Sequence, residues 1–142
     1  MGLLKRLFGS SPPCSSTFQD PVLGVLNLDE EVWKKAIGVG GRHIYLSVGG
    51  DMVPHPDLLQ SAAKGEAELD KLLSQVPFLL QRKAEMVPIL ASEIQALSVD
   101  EVSWWWEKEP EAAMVWFHGG AEGRVWHATY RGGVLQELAF DD

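Results

Sequence analysis

Residues 112–130 read AAMVWFHGGAEGRVWHATY, and this stretch decides how the end of the chain folds. Two runs rich in aromatic and β-branched residues, AAMVWFH and RVWHATY, flank a glycine-rich turn, which is typical of a β-hairpin. Successive side chains on a strand point to opposite faces of the sheet. Once one pair of facing residues is known, the face on which every other side chain lies follows. The loop length predicts that Phe117 lies opposite Trp126 and that Trp116 lies opposite His127.

This pairing sorts the last third of the chain into two faces. A three-residue turn is expected to pair Tyr130 with Val134 on the following strand. The first face is apolar and is expected to face the core. It contains Val115, Phe117, Trp126, Ala128, Tyr130, Val134, Leu138 and Phe140. The second face is mixed and collects Met114, Trp116, His118, Val125, His127, Thr129, Leu135 and Glu137.

Strands are predicted on both sides of the middle of the chain. Three β-prone runs come first, and they are separated by turn-forming residues: Val22 to Leu28, Val32 to Ile37 and His43 to Val48. Val102 to Trp106 precedes the hairpin, and Val134 to Phe140 follows it.

The middle of the chain has helical periodicity. Apolar residues recur at helical spacing from Pro56 to Val76, and a second such stretch follows Pro77 and reaches Leu97. Pro88 is expected to kink or interrupt the second helix, because a proline inside a helix removes a hydrogen bond. The predicted fold is therefore α+β: an antiparallel β-meander, two helices and a second antiparallel meander, with the helices packed on the sheet.

The N-terminus differs in composition from the rest. Residues 1–17 combine an amphipathic turn, MGLLKRLFG, with a small, polar, proline-bearing linker, and residues 18–142 are expected to form a single domain. Lys5 and Arg6 interrupt the only apolar run, so stable membrane insertion and a secretory signal are not expected. The single cysteine, Cys14, cannot form an internal disulfide, which favours a reducing compartment such as the cytoplasm.

Charge and motifs narrow the classes of function. Asp and Glu number 20 against 12 Lys and Arg, for a net charge of −8, which argues against binding to a nucleic-acid backbone. A basic protein partner fits this charge better. The chain has no G-x-S-x-G motif and its histidines lack metal-site spacing, so neither a catalytic residue nor a cofactor is expected. Whether the protein is an enzyme stays uncertain, and binding is favoured over catalysis.

Three consecutive tryptophans, Trp104 to Trp106, supply the candidate binding residues. Alternation places either Trp104 and Trp106, or Trp105 alone, on the same face as Trp116. Tryptophan is enriched among residues that dominate the energy of protein interfaces. The predicted binding residues are Trp104, Trp106, Trp116, His127 and Glu137. In the alternative interpretation, the first meander or the N-terminal segment covers this face and the tryptophans fill a core.

The first half of the chain resembles a known type of domain. Residues 20–26 read DPVLGVL, a tryptophan follows at Trp33, and HIYLSV comes at residues 43–48. This arrangement resembles the opening of a family of small uncharacterised bacterial α/β domains, over residues 20–76. The resemblance implies three strands followed by a helical region and carries over no catalytic residue, whereas the triple tryptophan and the final meander depart from the family. Similar domains include immunity-type proteins, which neutralise a partner toxin.

These observations lead to one hypothesis and two alternatives. The leading hypothesis is a bacterial, cytoplasmic, non-enzymatic domain that binds another protein, for example as an immunity-like inhibitor of a basic toxin. The first alternative is a small-molecule-binding protein or minor enzyme in which Trp116 stacks on a ring and His127 and Glu137 make polar contacts. The second is a structural domain that uses the tryptophan face as a homodimer interface.

Overall fold

A computed structural model of the chain describes residues 17–142, and the predicted N-terminal turn and nearly all of the linker lie outside them. Eight strands form one sheet in which spatial order follows chain order. The first four strands are β1 (Thr17–Asp20), β2 (Gly24–Asp29), β3 (Val32–Val39) and β4 (Arg42–Gly49). The last four are β5 (Ser98–Trp104), β6 (Ala113–His118), β7 (Val125–Arg131) and β8 (Val134–Asp141).

Within residues 17–142, every helix lies between β4 and β5. These are α1 (Pro56–Ala67), α2 (Leu69–Met86), a 3-10 turn at Pro88–Leu90 and α3 (Ala91–Gln95). β4 and β5 pair in parallel, whereas all other neighbouring strands pair antiparallel. A parallel pair cannot be joined by a tight turn and needs a long crossover, which the helices supply. The prediction of a mixed α/β fold is confirmed.

The predicted number and limits of the elements need correction. One further strand, β1, precedes the three predicted ones. The predicted helix boundary at Pro77 is wrong. The boundary between α1 and α2 is at Glu68, and Pro77 lies inside α2. α1 packs on β4 and β5 whereas α2 packs on β8, so the chain changes direction between them. The predicted interruption at Pro88 is confirmed, since the 3-10 turn begins there.

The core lies between the helices and one face of the sheet. Phe117 faces Trp126, as predicted, and both are buried on the helix side. The helix-side face of the sheet also buries Trp33, Ile44, Leu46, Val48, Val102, Val115, Ala128 and Tyr130, which pack with Leu58, Leu72 and Ile94 of the helices.

The predicted register of the last hairpin is wrong by one residue. Gly132 and Gly133 both have positive φ angles and form a two-residue turn, which pairs Arg131 with Val134. Tyr130 therefore faces Leu135, and Leu135 rather than Val134 is buried. The register between β7 and β8 shifts again between His127 and Thr129 of β7. On β8 this shift lies at Glu137, which has a φ of 63°. This bulge returns Leu138 to the core, as predicted.

α1 approaches the sheet closely at one point. Gly65 lies directly over the indole of Trp104, and a Cβ atom built on Gly65 would come within 2.1 Å of Trp104 Cζ2. Trp104 is only 2% exposed. Glycine is therefore required at this helix position because no larger residue fits above the ring.

Gly65→Ala is expected to destabilise the protein by about 1–3 kcal/mol, although alanine favours a helix, because the methyl group overpacks the core. The free energy of unfolding from urea titration measures this. Ala67→Gly, at an exposed position of the same helix, is the control and should cost roughly 0.5–1 kcal/mol. A Gly65→Ala variant as stable as the wild type would contradict the close contact.

Glu93 joins α3 to the β6–β7 loop. Its carboxylate accepts hydrogen bonds from Trp126 Nε1 at 2.6 Å, from the Ala121 N–H at 3.0 Å and from the Arg124 guanidinium. The hydrogen bond from Trp126, the N–H of Ala121 and the charge of Arg124 together lower the pKa of Glu93 below its ordinary value. The ionised carboxylate therefore stabilises the folded state.

This stabilisation is expected to depend on pH. It is complete above the ordinary pKa of a glutamate and is lost as the pH falls through the lowered pKa of the folded state. The Tm of Glu93→Gln should therefore lie below that of the wild type at neutral pH, and the difference should shrink on acidification. Thermal melts across this range, with Glu122→Gln in the nearby loop as the control, test this. A difference that is constant with pH would argue against the ionised contact.

Candidate functional site

The face of the sheet opposite the helices, here called the open face, carries a row of aromatic side chains. Trp105 follows the end of β5, and its ring centroid lies 5.5 Å from that of Trp116 on β6. The Trp116 ring lies 5.6 Å from the ring of His127 on β7, in an edge-on arrangement. Trp116 faces His127 in the register, as predicted. We call Trp105, Trp116 and His127 the aromatic row.

A carboxylate lies at one end of the aromatic row. His127 Nε2 lies 3.2 Å from Asp141 Oδ2 on the neighbouring strand β8. The Asp141 side chain is mostly exposed, while that of His127 is largely covered. The aromatic row thus ends in an acidic group that is accessible to solvent.

A polar network lies beside the aromatic row at the middle of the sheet. Ser47 of β4 and Ser103 of β5 face each other in the parallel pair, and their hydroxyl oxygens are 2.6 Å apart. Both donate to Glu101 Oε2, at 2.6 Å and 3.0 Å. Glu101 also faces Trp116 across the next strand pair. One carboxylate therefore accepts from two buried hydroxyls at the border of the aromatic row.

Lys34 on β3 extends this network. Its ammonium lies 3.3 Å from Glu101 Oε1, 3.3 Å from Asp29 Oδ2 and 5.5 Å from the centre of the Tyr45 ring. Burial lowers the pKa of Lys34, but the nearby charge of Glu101 and the hydrogen bonds to Asp29 and Glu101 outweigh it, so the pKa is raised. Lys34 is therefore held as a cation between two carboxylates.

The structure separates the predicted tryptophans. Trp104 does not share a face with Trp116, because β5 turns Trp104 toward the helices and buries it. Trp105 takes the place on the open face that was predicted for Trp104 and Trp106. Trp106 is partly exposed in the loop after β5, where its carbonyl accepts the N–H of Glu109. The placement of Trp104 is therefore corrected, and the structure has the other predicted arrangement, in which Trp105 alone shares the face of Trp116.

Glu137 is not beside His127. The bulge at Glu137 takes it out of the regular alternation of β8, and Gln136 and Ala139 are the residues that face Thr129 and His127. Glu137 instead borders a surface cavity with Arg82 at the end of α2. The carboxylate that contacts His127 belongs to Asp141.

Sequence reasoning omitted several residues of this site. The strand pattern Glu101-Val102-Ser103-Trp104 alternates polar and apolar residues, which is a signal that Trp104 is buried and Trp105 is not. The contact of Ser47 with Ser103 depends on the parallel pairing of strands far apart in the chain, which alternation within one strand does not reveal.

Large apolar side chains are exposed across the open face. Trp105 is 41% exposed, and Val25, Tyr45 and Val125 have similar exposure. These residues extend from β2 to β7, so they follow the width of the sheet. Apolar groups mixed with carboxylates in this way are typical of the surfaces that bind other proteins.

Within residues 17–142, no three His, Cys, Asp or Glu side chains are arranged to hold a metal ion. In the same part of the chain, no helix has both the length and the apolar composition needed to cross a bilayer. Comparison of the chain with protein-family models, with curated proteins and with solved structures gave no match.

Glu101→Ala is expected to lower the free energy of unfolding by about 1–3 kcal/mol, because Ser47 and Ser103 lose their common acceptor in a buried setting. Urea unfolding measures the loss. Glu122→Ala, in the exposed β6–β7 loop, is the matched control and should stay within roughly 0.5 kcal/mol of the wild type. Equal stability of the two variants would show that the network contributes nothing to folding.

Proposed function

We propose that this protein is a non-enzymatic binding domain that uses its open face to bind a basic protein. The observation that carries the proposal is the aromatic row, in which two tryptophan rings contact each other on a sheet face that the helices of residues 17–142 leave uncovered. Because the rings contact each other and the sheet supports them, they lose little conformational freedom when a partner binds.

Trp105 and Trp116 are the proposed anchors of the complex. Trp105 is the more exposed, so a partner that covers it removes the larger apolar area from water. Trp116 lies between Trp105 and His127, and its partial burial holds it in one orientation. Residues near the centre of such a patch commonly dominate binding energy.

The electrostatics favour a cationic partner. The chain carries a net charge of −8, and the exposed carboxylates of Asp29 and Asp141 lie at the two sides of the open face. A lysine or arginine of the partner could stack over an indole face while it approaches Asp141. Opposite charge would also speed association, and salt would weaken this effect.

An immunity-like inhibitor of a basic toxin is the specific form of this function that we favour. Its support is the acidic charge of the chain together with the resemblance of residues 20–76 to small uncharacterised bacterial α/β domains, some of whose similar domains are immunity-type proteins. A cytoplasmic location stays a prediction. The two alternatives have separate outcomes in the experiment below. A homodimer through the open face would recover only further copies of this chain, and a small ligand at Trp116 would leave protein capture equal for all variants.

Trp105→Ala and Trp116→Ala are each expected to weaken partner binding by roughly tenfold or more, which corresponds to the loss of an interface anchor. Proteins captured from native lysate by the wild type would be identified, purified and titrated by calorimetry at low and high salt. Phe78→Ala removes a more exposed aromatic side chain from α2, outside the open face, and should bind as the wild type does.

A basic partner whose affinity falls with salt and with both tryptophan changes supports the proposal. Three results would overturn it: capture that is equal for all variants, recovery only of further copies of this chain, or an acidic partner. Circular dichroism of each variant checks that the fold is intact, so a loss of binding can be assigned to the surface.

A further inference from the structure

A cavity of about 350 Å³ lies on the helix side of the sheet, away from the open face. It is bounded by the junction of α1 and α2 and by the turn between β7 and β8. Its polar lining includes Lys64, Glu68, Lys71, Glu111 and Tyr130. Ligand-binding cavities commonly have volumes of roughly 300–1,000 Å³, so this one suits a small metabolite.

Glycines shape the walls of this cavity. Gly65 lets α1 lie against Trp104, whose ring contributes an apolar patch to the lining. Gly133 is in the left-handed region, and a Cβ atom there would lie 2.6 Å from the ammonium of Lys71. Larger residues at either position would displace side chains that line the cavity.

Four charged side chains face the cavity without pairing with one another. In the part of the chain that the structure describes, neither Lys64 nor Lys71 forms an ion pair, and neither does Glu68 or Glu111. Of the other Lys and Arg side chains in residues 17–142, Lys34, Lys35, Arg124 and Arg131 are paired with carboxylates, whereas the remaining four form no ion pair: Arg42, Arg82, Lys83 and Lys108. Unpaired charges of both signs around one cavity leave room for a ligand that carries both.

Glu68 is held in place on one side. Its Oε1 accepts a hydrogen bond of 3.0 Å from the Tyr130 hydroxyl, while its second oxygen has no hydrogen-bond partner among residues 17–142. Burial and the hydrogen bond to Glu68 raise the pKa of Tyr130 to about 12, so this hydroxyl remains a donor. Glu68 is therefore an oriented carboxylate with one oxygen free to accept from a ligand.

We propose that this cavity binds a small zwitterion of the amino-acid type. Its carboxylate binds between Lys64 and Lys71, and its ammonium group binds Glu68 and Glu111. A simple anion would be repelled by the two glutamates, and a simple cation would be repelled by the two lysines.

This site is independent of the proposed protein interface. Trp104 and Tyr130 of the cavity point to the helix side, whereas Trp105 and Trp116 lie on the open face. Changes to the cavity can therefore be tested without altering the aromatic row.

The test is a titration of the uniformly ¹⁵N-labelled protein with each proteinogenic L-amino acid separately, followed by two-dimensional NMR. Acetate and methylamine are the single-charge probes. At least one amino acid is expected to shift the amide signals of Gly132 and Gly133 at millimolar or lower concentration, and neither single-charge probe should do so.

Lys71→Gln and Glu111→Gln should each weaken that binding by roughly tenfold, because each removes one charge contact. Lys108→Gln, in the exposed turn after β5, is the control and should leave it unchanged. The proposal is overturned if no amino acid shifts these signals, if acetate shifts them equally, or if the folded Lys71→Gln variant binds like the wild type.

Discussion

The parallel pairing of β4 with β5 is the constraint on which the rest of the structure depends. It joins two antiparallel meanders into one sheet, and it requires a long crossover, which contains every helix of residues 17–142. The side chains of this strand pair are apolar on one face of the sheet and polar on the other. Leu46 faces Val102 beneath the helices, whereas Ser47 faces Ser103 beside Glu101 on the open face. One strand pair therefore anchors both the core and the polar network.

Local alternation was enough to predict part of the candidate site. Trp116 and His127 could be paired from the loop between their strands, because a hairpin links residues that are close in sequence. The neighbouring Phe117 and Trp126 were assigned to the core for the same reason. The fold class followed from the change between period-two and helical patterns along the chain.

Long-range geometry and turn conformation account for what could not be predicted. The contact of Ser47 with Ser103 spans 56 positions and depends on the crossover. The boundary between α1 and α2 lies at Glu68 because α1 packs on β4 and β5 whereas α2 packs on β8. The presence of a proline at position 77 had suggested a boundary there instead. The two-glycine turn and the bulge at Glu137 shift the register in two steps that restore Leu138 to the core.

The bulge at Glu137 also affects how the sheet meets its surroundings. β8 is an outer strand of an open sheet, and a regular outer strand offers unpaired backbone groups to any other extended chain. A positive φ in the middle of β8 disrupts that row of groups. This margin of the sheet is therefore a poor template for strand addition and resists edge-to-edge aggregation.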